Sequence, residues 1–302
     1  MMFLHNDKEL FRDVIEAASA DQNRPVAIIE KDYYVTMILK LLSEAEPGCV
    51  FKGGTSLSKC HHVIDRFSED IDITFSDTLT QGQRKKLKNN VIANISKTLE
   101  LPIPNWEETR SRRDYNCYIF DYEPIEGQVD QSLLPGVKME VVLGSVSFPT
   151  VKLPVDSYVY QYLSKENMDI VEEFGLEPFE MTLQSLERTF ADKVFAICDY
   201  YMDGRVKRNS RHIYDLYKLL PKIQLDADYK KLVAEIRNHR AKMSICHSAQ
   251  EGVDVTKLLR EIIDKEVYKS DYKEITTYFQ NEPLEYDTAV RVIETVIDSG
   301  VF

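Results

Sequence analysis

The stretch from Val50 to Phe75 reads VFKGGTSLSKCHHVIDRFSEDIDITF, and it decides the predicted fold. Its opening residues form a short apolar run that fits a buried strand, and Gly53-Gly54 ends that strand. Residues 56–64 are predicted to form a helix, and residues 71–75 a second strand. A strand, a glycine turn, a helix and another strand therefore follow one another without a long loop.

Two aspartates one residue apart open the second of these strands. Side chains alternate along a strand, so Asp70 and Asp72 are expected on one face while Ile71 points into the core. Two carboxylates this close repel each other unless a cation lies between them. Oxygen ligands of this kind suit Mg²⁺, which proteins bind through one or two carboxylates plus substrate phosphates. The alternative is an acidic strand edge in contact with solvent.

The glycine turn offers a site for phosphate groups. Gly53 and Gly54 let the backbone approach a ligand closely, and Thr55 and Ser56 add hydroxyl groups where a helix begins. The Walker A pattern GxxxxGK[ST] does not occur in this sequence. The combination predicts that the turn holds a triphosphate and that the aspartates hold the metal bridging it.

A third carboxylate, Glu140 in the stretch VKMEVVLG, would complete a two-metal site. It lies between apolar residues in a predicted strand, where a charge is costly without a partner. Lys138 shares its face of the strand and is the alternative partner. Glu140 is therefore predicted either as a metal ligand or base, or as half of an ion pair.

Two clusters in the C-terminal half also carry charge. Arg188 and Asp192 fit a helix-surface pair, and the adjacent Lys193 fits either that surface or a contact to nucleotide phosphates. Arg211 and Asp215, four residues apart, fit a second surface pair.

Hydrophobic periodicity divides the chain into an α/β domain with N-terminal helices, residues 1–178, and an all-helical lobe, residues 179–302. The predicted helices in the first domain include residues 7–21, 26–44 and 80–100, and the further predicted strands are residues 115–122, 137–143 and 146–153. Beyond residue 178 every periodic segment, beginning with 182–202 and 210–220, is predicted to be helical.

The 302-residue chain carries a net charge of −12, which argues against binding a polyanion over its whole surface. Three basic clusters could still form a local track for RNA, or ordinary solvated faces. Their members are Arg84, Lys85, Lys86 and Lys88; Arg110, Arg112 and Arg113; and Arg205, Lys207, Arg208 and Arg211.

Five scattered cysteines form no CxxC pair, the first residues do not resemble a signal peptide, and no apolar run is long enough to cross a bilayer. These observations predict a cytoplasmic protein without a membrane segment.

Six stretches of the sequence resemble AbiEii-type nucleotidyltransferases, the toxins of abortive-infection type IV toxin–antitoxin systems, a group that includes MenT-type toxins. In chain order they are IIEKDYYVTMILKLL, FKGGTSLSK, DRFSEDIDI, KMEVVLG, ADKVFAI and RHIYDLYKLL. The resemblance covers roughly residues 25 to 220. It implies a polymerase β-like nucleotidyltransferase core joined to a helical lobe, with the active site between them.

The resemblance also implies residue roles. Gly53, Gly54, Thr55 and Ser56 match the nucleotide-binding motif, and Lys59 falls just after it. Asp70 and Asp72 match the metal-binding pair, Glu140 the acidic position on the next core strand, Lys193 the essential lysine, and Asp215 the aspartate of the last motif. Many members have Arg-Asp where this chain has Arg211-His212, so the role of His212 is open.

The activity implied by the resemblance is transfer of a nucleotide from an NTP, with Mg²⁺ or Mn²⁺, to an acceptor hydroxyl such as a tRNA 3′ end. An antitoxin encoded nearby is the implied partner, without a requirement for a stable complex. Two other readings stay open: phosphorylation of a protein such as the antitoxin, and nucleotide binding without catalysis.

Overall fold

The structure is a computed structural model that describes residues 2–125, 136–277, 280 and 282–302. Met1, the first residue of the predicted α/β domain, lies outside the described residues. The chain forms two compact units. The first comprises Met1–His61, Glu69–Leu143 and Val151–Leu183, and the second comprises His62–Ser68, Gly144–Thr150 and Gln184–Phe302.

A six-stranded sheet forms the centre of the first unit. Its strands are β1 Cys49–Lys52, β2 Ile71–Phe75, β3 Tyr115–Phe120, β4 Val137–Val146, β5 Thr150–Val155 and β6 Phe179–Gln184. Their order across the sheet is β3-β4-β2-β1-β6-β5. Strand β1 pairs antiparallel with β2 and parallel with β6, so the strands on either side of the glycine turn are direct neighbours.

The helices of the first unit supply the rest of its core. They are α1 Lys8–Gln22, α2 Val26–Ala45, α3 Gly53–Lys59, α4 Gln81–Lys86, α5 Ala93–Thr98, α6 Tyr158–Glu166 and α7 Met168–Phe174, with a π-helical turn at Leu87–Ile92. The longest, α2, buries Ile29, Tyr33, Ile38 and Leu42 together with the inward faces of β1 and β2. It also buries Lys31 and Glu30, two charged side chains in the same core.

The second unit is helical. Its main helices are α8 Leu186–Met202, α9 Arg211–Leu219, α10 Ala227–Arg240, α11 Val255–Asp264, α12 Lys269–Asp271, α13 Tyr286–Ala289 and α14 Arg291–Ser299, with a π-helical turn at Tyr272–Thr276. Ser185 caps the N-terminus of α8 by accepting a hydrogen bond from the Arg188 backbone. Phe195, Ile213 and Ile262 are buried in its core.

The predicted fold class, an α/β sheet followed by helices, is confirmed, whereas several local predictions are wrong. The strand β6 was missed because it pairs with β1, where Leu183 lies opposite Phe51, a residue far away in the sequence. The predicted helix 80–100 is divided by the π-helical turn, and the helix predicted for residues 56–64 spans Gly53–Lys59 instead. The strand predicted for residues 146–153 is two strands, separated by a break at residues 147–149 that contains a cis Phe148–Pro149 bond.

Candidate active site

The glycine turn and Asp72 come together in the first unit. Asp72 lies opposite Lys52 in the β1–β2 ladder, and Gly53 follows Lys52 with a φ of +79°, which L-residues rarely adopt. A Cβ atom placed on Gly53 would lie 1.9 Å from the Asp72 Oδ2 atom. The Asp72 carboxylate therefore lies directly against the backbone of the turn, and only glycine leaves room for it.

The hydroxyl groups of the turn already donate hydrogen bonds to backbone carbonyls of the first unit. Thr55 and Ser56 are both buried. The Thr55 hydroxyl donates to the Asp70 backbone carbonyl at 2.5 Å, and the Ser56 hydroxyl donates to the Gly53 carbonyl at 2.9 Å. The Ser58 hydroxyl lies 3.4 Å from the carbonyl of Gly54. These bonds fix the turn and connect it to the backbone just before β2.

Asp70 lies one residue before β2 and has an unusual environment. Its Oδ1 atom is buried and has no hydrogen-bond partner within the part of the chain that the structure describes. Leaving such an acceptor unsatisfied costs about 1–3 kcal/mol. A cation ligated by this carboxylate would remove the cost.

The donor set fits a hard divalent cation. Asp70 and Asp72 offer carboxylate oxygens, the ligands that Mg²⁺ and Mn²⁺ prefer. Among the described residues no group of three or more His, Cys, Asp or Glu side chains is arranged to hold a metal. An ion held by these two carboxylates would need further oxygen ligands from a substrate or from water.

Glu140, on β4, forms an ion pair with Lys138, as the alternative interpretation of the sequence predicted. It also accepts a hydrogen bond from the Tyr115 hydroxyl. Burial and then the negative charges of Glu140 and Asp72 raise the pKa of Tyr115. Burial alone would lower the pKa of Lys138, but its bond to Glu140 and the charge of Asp70 raise it instead. These acids therefore share one electrostatic environment.

Two neighbouring residues of α2 form ion pairs with residues next to the predicted site, one beside Asp70 and one at the end of α3. Lys31, almost completely buried, forms an ion pair with Glu69, the residue before Asp70. Asp32 accepts a hydrogen bond from Lys59 Nζ at 2.5 Å, at the C-terminal end of α3. Lys59 is therefore buried and paired. Neither role of α2 could be recognised from helical periodicity alone.

Lys193 and Asp215 belong to the second unit and are bonded to each other. Lys193 Nζ donates to Asp215 Oδ2 at 2.6 Å. Arg66, from the segment His62–Ser68, donates Nε and Nη2 to the two Asp215 oxygens, each at 2.7 Å. Asp215 has 0% of its surface exposed. The interpretation of Asp215 as a surface partner of Arg211 is therefore wrong.

The charges around Asp215 determine its protonation. Burial alone would raise the pKa of Asp215, but the adjacent Arg66 and Lys193 more than offset that effect and hold the pKa well below its usual value. The carboxylate is therefore ionised at neutral pH. It joins α9, α8 and the segment His62–Ser68 within the second unit.

The interpretation of Arg188 and Asp192 as a simple surface pair is also wrong. Arg188 is buried and donates to Asp192 Oδ2 at 3.0 Å, and Arg240 from α10 donates to Asp192 Oδ1, also at 3.0 Å. Gln184 adds a hydrogen bond to the same carboxylate at 3.2 Å. Asp192 therefore has a structural role in connecting α8 to α10.

His212, where the resemblance is interrupted, is stacked on Tyr200 with ring centroids 5.6 Å apart. Both imidazole nitrogens are buried and have no hydrogen-bond partner among the described residues. Burial, and then the charges of Lys193 and Arg211, lower the pKa of His212 well below its usual value. The imidazole is therefore neutral at pH 7 and acts here as an aromatic packing group.

Sequence reasoning missed Arg66, Lys31 and Asp32. The signal for Arg66 was present in DRFSEDIDI, but a single arginine there does not indicate its partner 149 residues away. A cavity of about 600 Å³ in the first unit is lined by residues such as His5, Tyr34 and Tyr122 and by none of the predicted site residues. Cavity volume alone therefore does not mark this site.

Among the described residues, no helix has both the length and the apolar character needed to cross a membrane.

Comparison with known proteins gives the family. The family profile described as "Nucleotidyl transferase AbiEii toxin, Type IV TA system" matches residues 38–292. A search of curated proteins found no match. The solved structure of MenT4, a nucleotidyltransferase toxin from Mycobacterium tuberculosis H37Rv, is similar with a TM-score of 0.46 and 16% sequence identity, covering 95% of this chain and 87% of that chain.

The family match extends over most of the chain and includes the glycine turn, both strand aspartates, Glu140, Lys193 and Asp215. It implies an NTP substrate and an antitoxin as the partner gene product. The chain belongs to the AbiEii family of type IV toxin–antitoxin systems and is a nucleotidyltransferase.

Proposed function

We propose that this protein is a Mg²⁺-dependent toxin that transfers a nucleoside monophosphate from an NTP to the 3′ hydroxyl of an RNA, with tRNA as the acceptor. Mn²⁺ would serve in place of Mg²⁺. The observation that carries the proposal is the contact between the Asp72 carboxylate and the backbone of Gly53. This contact supports the proposal because it puts a carboxylate next to the turn where we propose that the triphosphate binds.

In this proposal the chain orients the reactants. Backbone N–H groups of residues 53–56 would hold phosphate oxygens, and Asp70 and Asp72 would hold the divalent ion. The ion, when bound, would neutralise charge on the triphosphate and favour ionisation of the attacking hydroxyl. The acceptor hydroxyl gives up its proton to water, its oxygen forms a bond to the α-phosphorus, and the bond from the α-phosphorus to the α–β bridging oxygen breaks as pyrophosphate leaves.

The other predicted site residues keep proposed roles. Glu140 is proposed as a third acidic ligand or base, although Lys138 already partners it. Lys193 is proposed to neutralise charge on the phosphates and on the leaving pyrophosphate, and Asp215, which accepts hydrogen bonds from Lys193 and Arg66, is proposed to hold that lysine in place. Lys59 is proposed as a nucleotide contact, although it is paired with Asp32.

An assay with separately labelled NTPs tests the reaction. The purified protein is incubated with Mg²⁺, total tRNA and NTP labelled at either the α- or the γ-phosphate. Label on tRNA from α-labelled NTP alone is the expected result. Label from γ-labelled NTP on a protein, such as the antitoxin, would instead identify phosphoryl transfer, and NTP binding with no product would identify a non-catalytic protein.

The cellular setting forms part of the proposal. NTPs and tRNA are both cytoplasmic, so the toxin is proposed to act there. The antitoxin is proposed to oppose toxicity without a requirement for a stable complex. Co-expression that restores growth while the two proteins elute separately in gel filtration is the expected result.

The replacement Gly53→Ala is expected to lower nucleotidyl transfer at least 100-fold. A Cβ atom there would overlap Asp72 Oδ2, and the φ of +79° is strained for alanine. The overlap would displace the Asp72 carboxylate, and the strained φ would displace the backbone of the turn. Steady-state rates with saturating NTP measure the effect.

The matched control for this experiment is Gly82→Ala. Gly82 lies in α4, where the nearest atom to an added Cβ is Thr80 Oγ1 at 4.0 Å. Alanine favours a helix over glycine, so this variant should keep full activity and equal or greater stability. If the Gly53→Ala enzyme were as active as the control, the close contact between Asp72 and the Gly53 backbone would not be needed for the reaction.

The replacement Lys31→Met is expected to destabilise the first unit by about 3 kcal/mol, because the mostly buried Glu69 carboxylate loses its ion pair with Lys31. The double variant Lys31→Met, Glu69→Gln should recover more than half of that loss, since both charges are removed together. Urea unfolding of the two single variants and the double variant measures the coupling. Additive effects of the single changes would contradict the role given to this ion pair.

A further inference from the structure

The exposed turn at residues 110–113 of the first unit, just before strand β3, carries a cluster of positive charge. Residues 84 to 113 contain eight Lys or Arg against three Asp or Glu, in a chain whose net charge is −12. Three of these cations, Arg110, Arg112 and Arg113, occur within four residues and are exposed. One residue, Asp114, separates this basic turn from Tyr115, the first residue of β3.

The basic turn has a defined backbone. Asn116 accepts from the Arg110 backbone N–H at 2.8 Å and donates to the Arg110 carbonyl at 3.0 Å, which closes the turn against β3. The Arg113 N–H donates to the Arg110 carbonyl at 3.0 Å. Arg84 of α4 donates to Asp114 at 2.9 Å. A turn held this way presents its guanidinium groups from a fixed position, which lowers the entropy cost of binding a ligand.

Tyr115 connects the basic turn to the catalytic carboxylates. Its side chain is anchored at the hydroxyl, which donates to Glu140, and Asp72 is close enough to raise its pKa. Even so, 48% of the residue is exposed to solvent. An aromatic ring that is fixed at one end and open to solvent is a platform on which a nucleobase can stack.

We propose that Arg110, Arg112, Arg113 and Tyr115 bind the single-stranded 3′ end of the acceptor RNA. The arginines would contact its phosphates, and the Tyr115 ring would stack on a base close to the reacting hydroxyl. Arginine contacts to phosphate and aromatic stacking on unpaired bases are the usual components of single-strand binding. This inference rests on the proposed transfer to RNA and identifies the surface that selects the acceptor.

Three variants test it with a short single-stranded RNA that ends in the tRNA 3′ sequence. Arg112→Glu with Arg113→Glu is expected to raise the KM for this RNA at least 10-fold and to reduce the salt dependence of binding, because about two phosphate contacts are lost. Tyr115→Ala is expected to raise the KM about 10-fold, whereas Tyr115→Phe, which keeps the ring, should stay within about 3-fold of wild type. The KM for NTP should be unchanged for the arginine variant, a split that general unfolding would not produce.

The control variant is Lys230→Glu with Lys231→Glu, an equal charge change on exposed residues of α10 in the second unit. It should retain the wild-type KM for RNA. An arginine variant that matches this control in KM and salt dependence overturns the phosphate contacts, and Tyr115→Ala with wild-type KM overturns the stacking. Wild-type protein that labels no RNA at all would instead refute the proposed function, so the two failures are distinguishable.

Discussion

Replacing Asp70 with asparagine should lower the rate of nucleotidyl transfer by about three orders of magnitude, while the protein remains folded. Its buried Oδ1 has no hydrogen-bond partner among the described residues, so replacing the carboxylate with an amide breaks no hydrogen bond at that atom. Loss of a ligand to the divalent ion removes several kcal/mol of transition-state stabilisation. Label transferred from α-labelled NTP to RNA, followed over time, measures the rate.

The Asp77→Asn variant is the matched control. Asp77 is an exposed aspartate two residues beyond the end of β2, and the same chemical change there should leave the rate within about 2-fold of wild type. Thermal unfolding of both variants checks the fold. If Asp70→Asn transferred label as fast as the control, Asp70 would not be a ligand in this reaction.

The largest effect on stability is expected for Asp215→Ala, which should destabilise the helical unit by about 3–5 kcal/mol. The change leaves Arg66 and Lys193 as two buried cations without a carboxylate between them. Urea unfolding followed by circular dichroism measures the loss. The exposed Asp228–Lys231 pair provides a comparison, because Asp228→Ala should have an effect close to the error of the measurement.

If Asp215→Ala lowered the free energy of unfolding substantially and Asp228→Ala did not, Asp215 would be shown to stabilise the fold, whether or not it also takes part in catalysis. Equal stability of the Asp215→Ala and Asp228→Ala variants would contradict it. Asp215→Asn adds a further comparison. The amide keeps the shape of the side chain but not its charge, so a loss similar to that of alanine would assign the effect to electrostatics.

The same carboxylate gives a pH dependence with a definite sign. The pKa of Asp215 is lower in the folded protein than in the unfolded chain. Its contribution is therefore fully present above the unfolded pKa, near 4, and is lost as the pH falls below that value. Wild-type stability should decline from pH 5 toward pH 2, and the Asp215→Asn variant should show a shallower decline.

Local patterns were sufficient for the part of the site that surrounds the glycine turn. The predicted strand 71–75 corresponds to β2, and a helix does follow β1, although α3 begins at Gly53, three residues before the predicted start. These elements follow from short-range rules: apolar alternation, a glycine pair and a turn. The placement of Asp72 against Gly53 follows in turn from the antiparallel pairing of adjacent strands.

Contacts between distant residues could not be predicted in the same way. The pairing of Arg66 with Asp215 spans 149 positions. Helical periodicity instead predicted that Asp215 would pair with Arg211 on the helix surface. Strand β6 was missed because it pairs with β1 across a similar distance in sequence. Charged residues inside α2 give no local sign of whether they are exposed or paired, so Lys31 and Asp32 were recognised only from their partners.

The route of the backbone between the two units limits how this gene can be divided. The chain leaves the first unit at His62, returns at Glu69, leaves again at Gly144 and returns at Val151 before it enters the second unit permanently at Gln184. A fragment cut near residue 178 would end before β6 and would carry two excursions whose packing partners are missing. Truncated or split versions of the toxin should therefore be inactive, and domain exchange between relatives should require all three segments of the helical unit to be moved together.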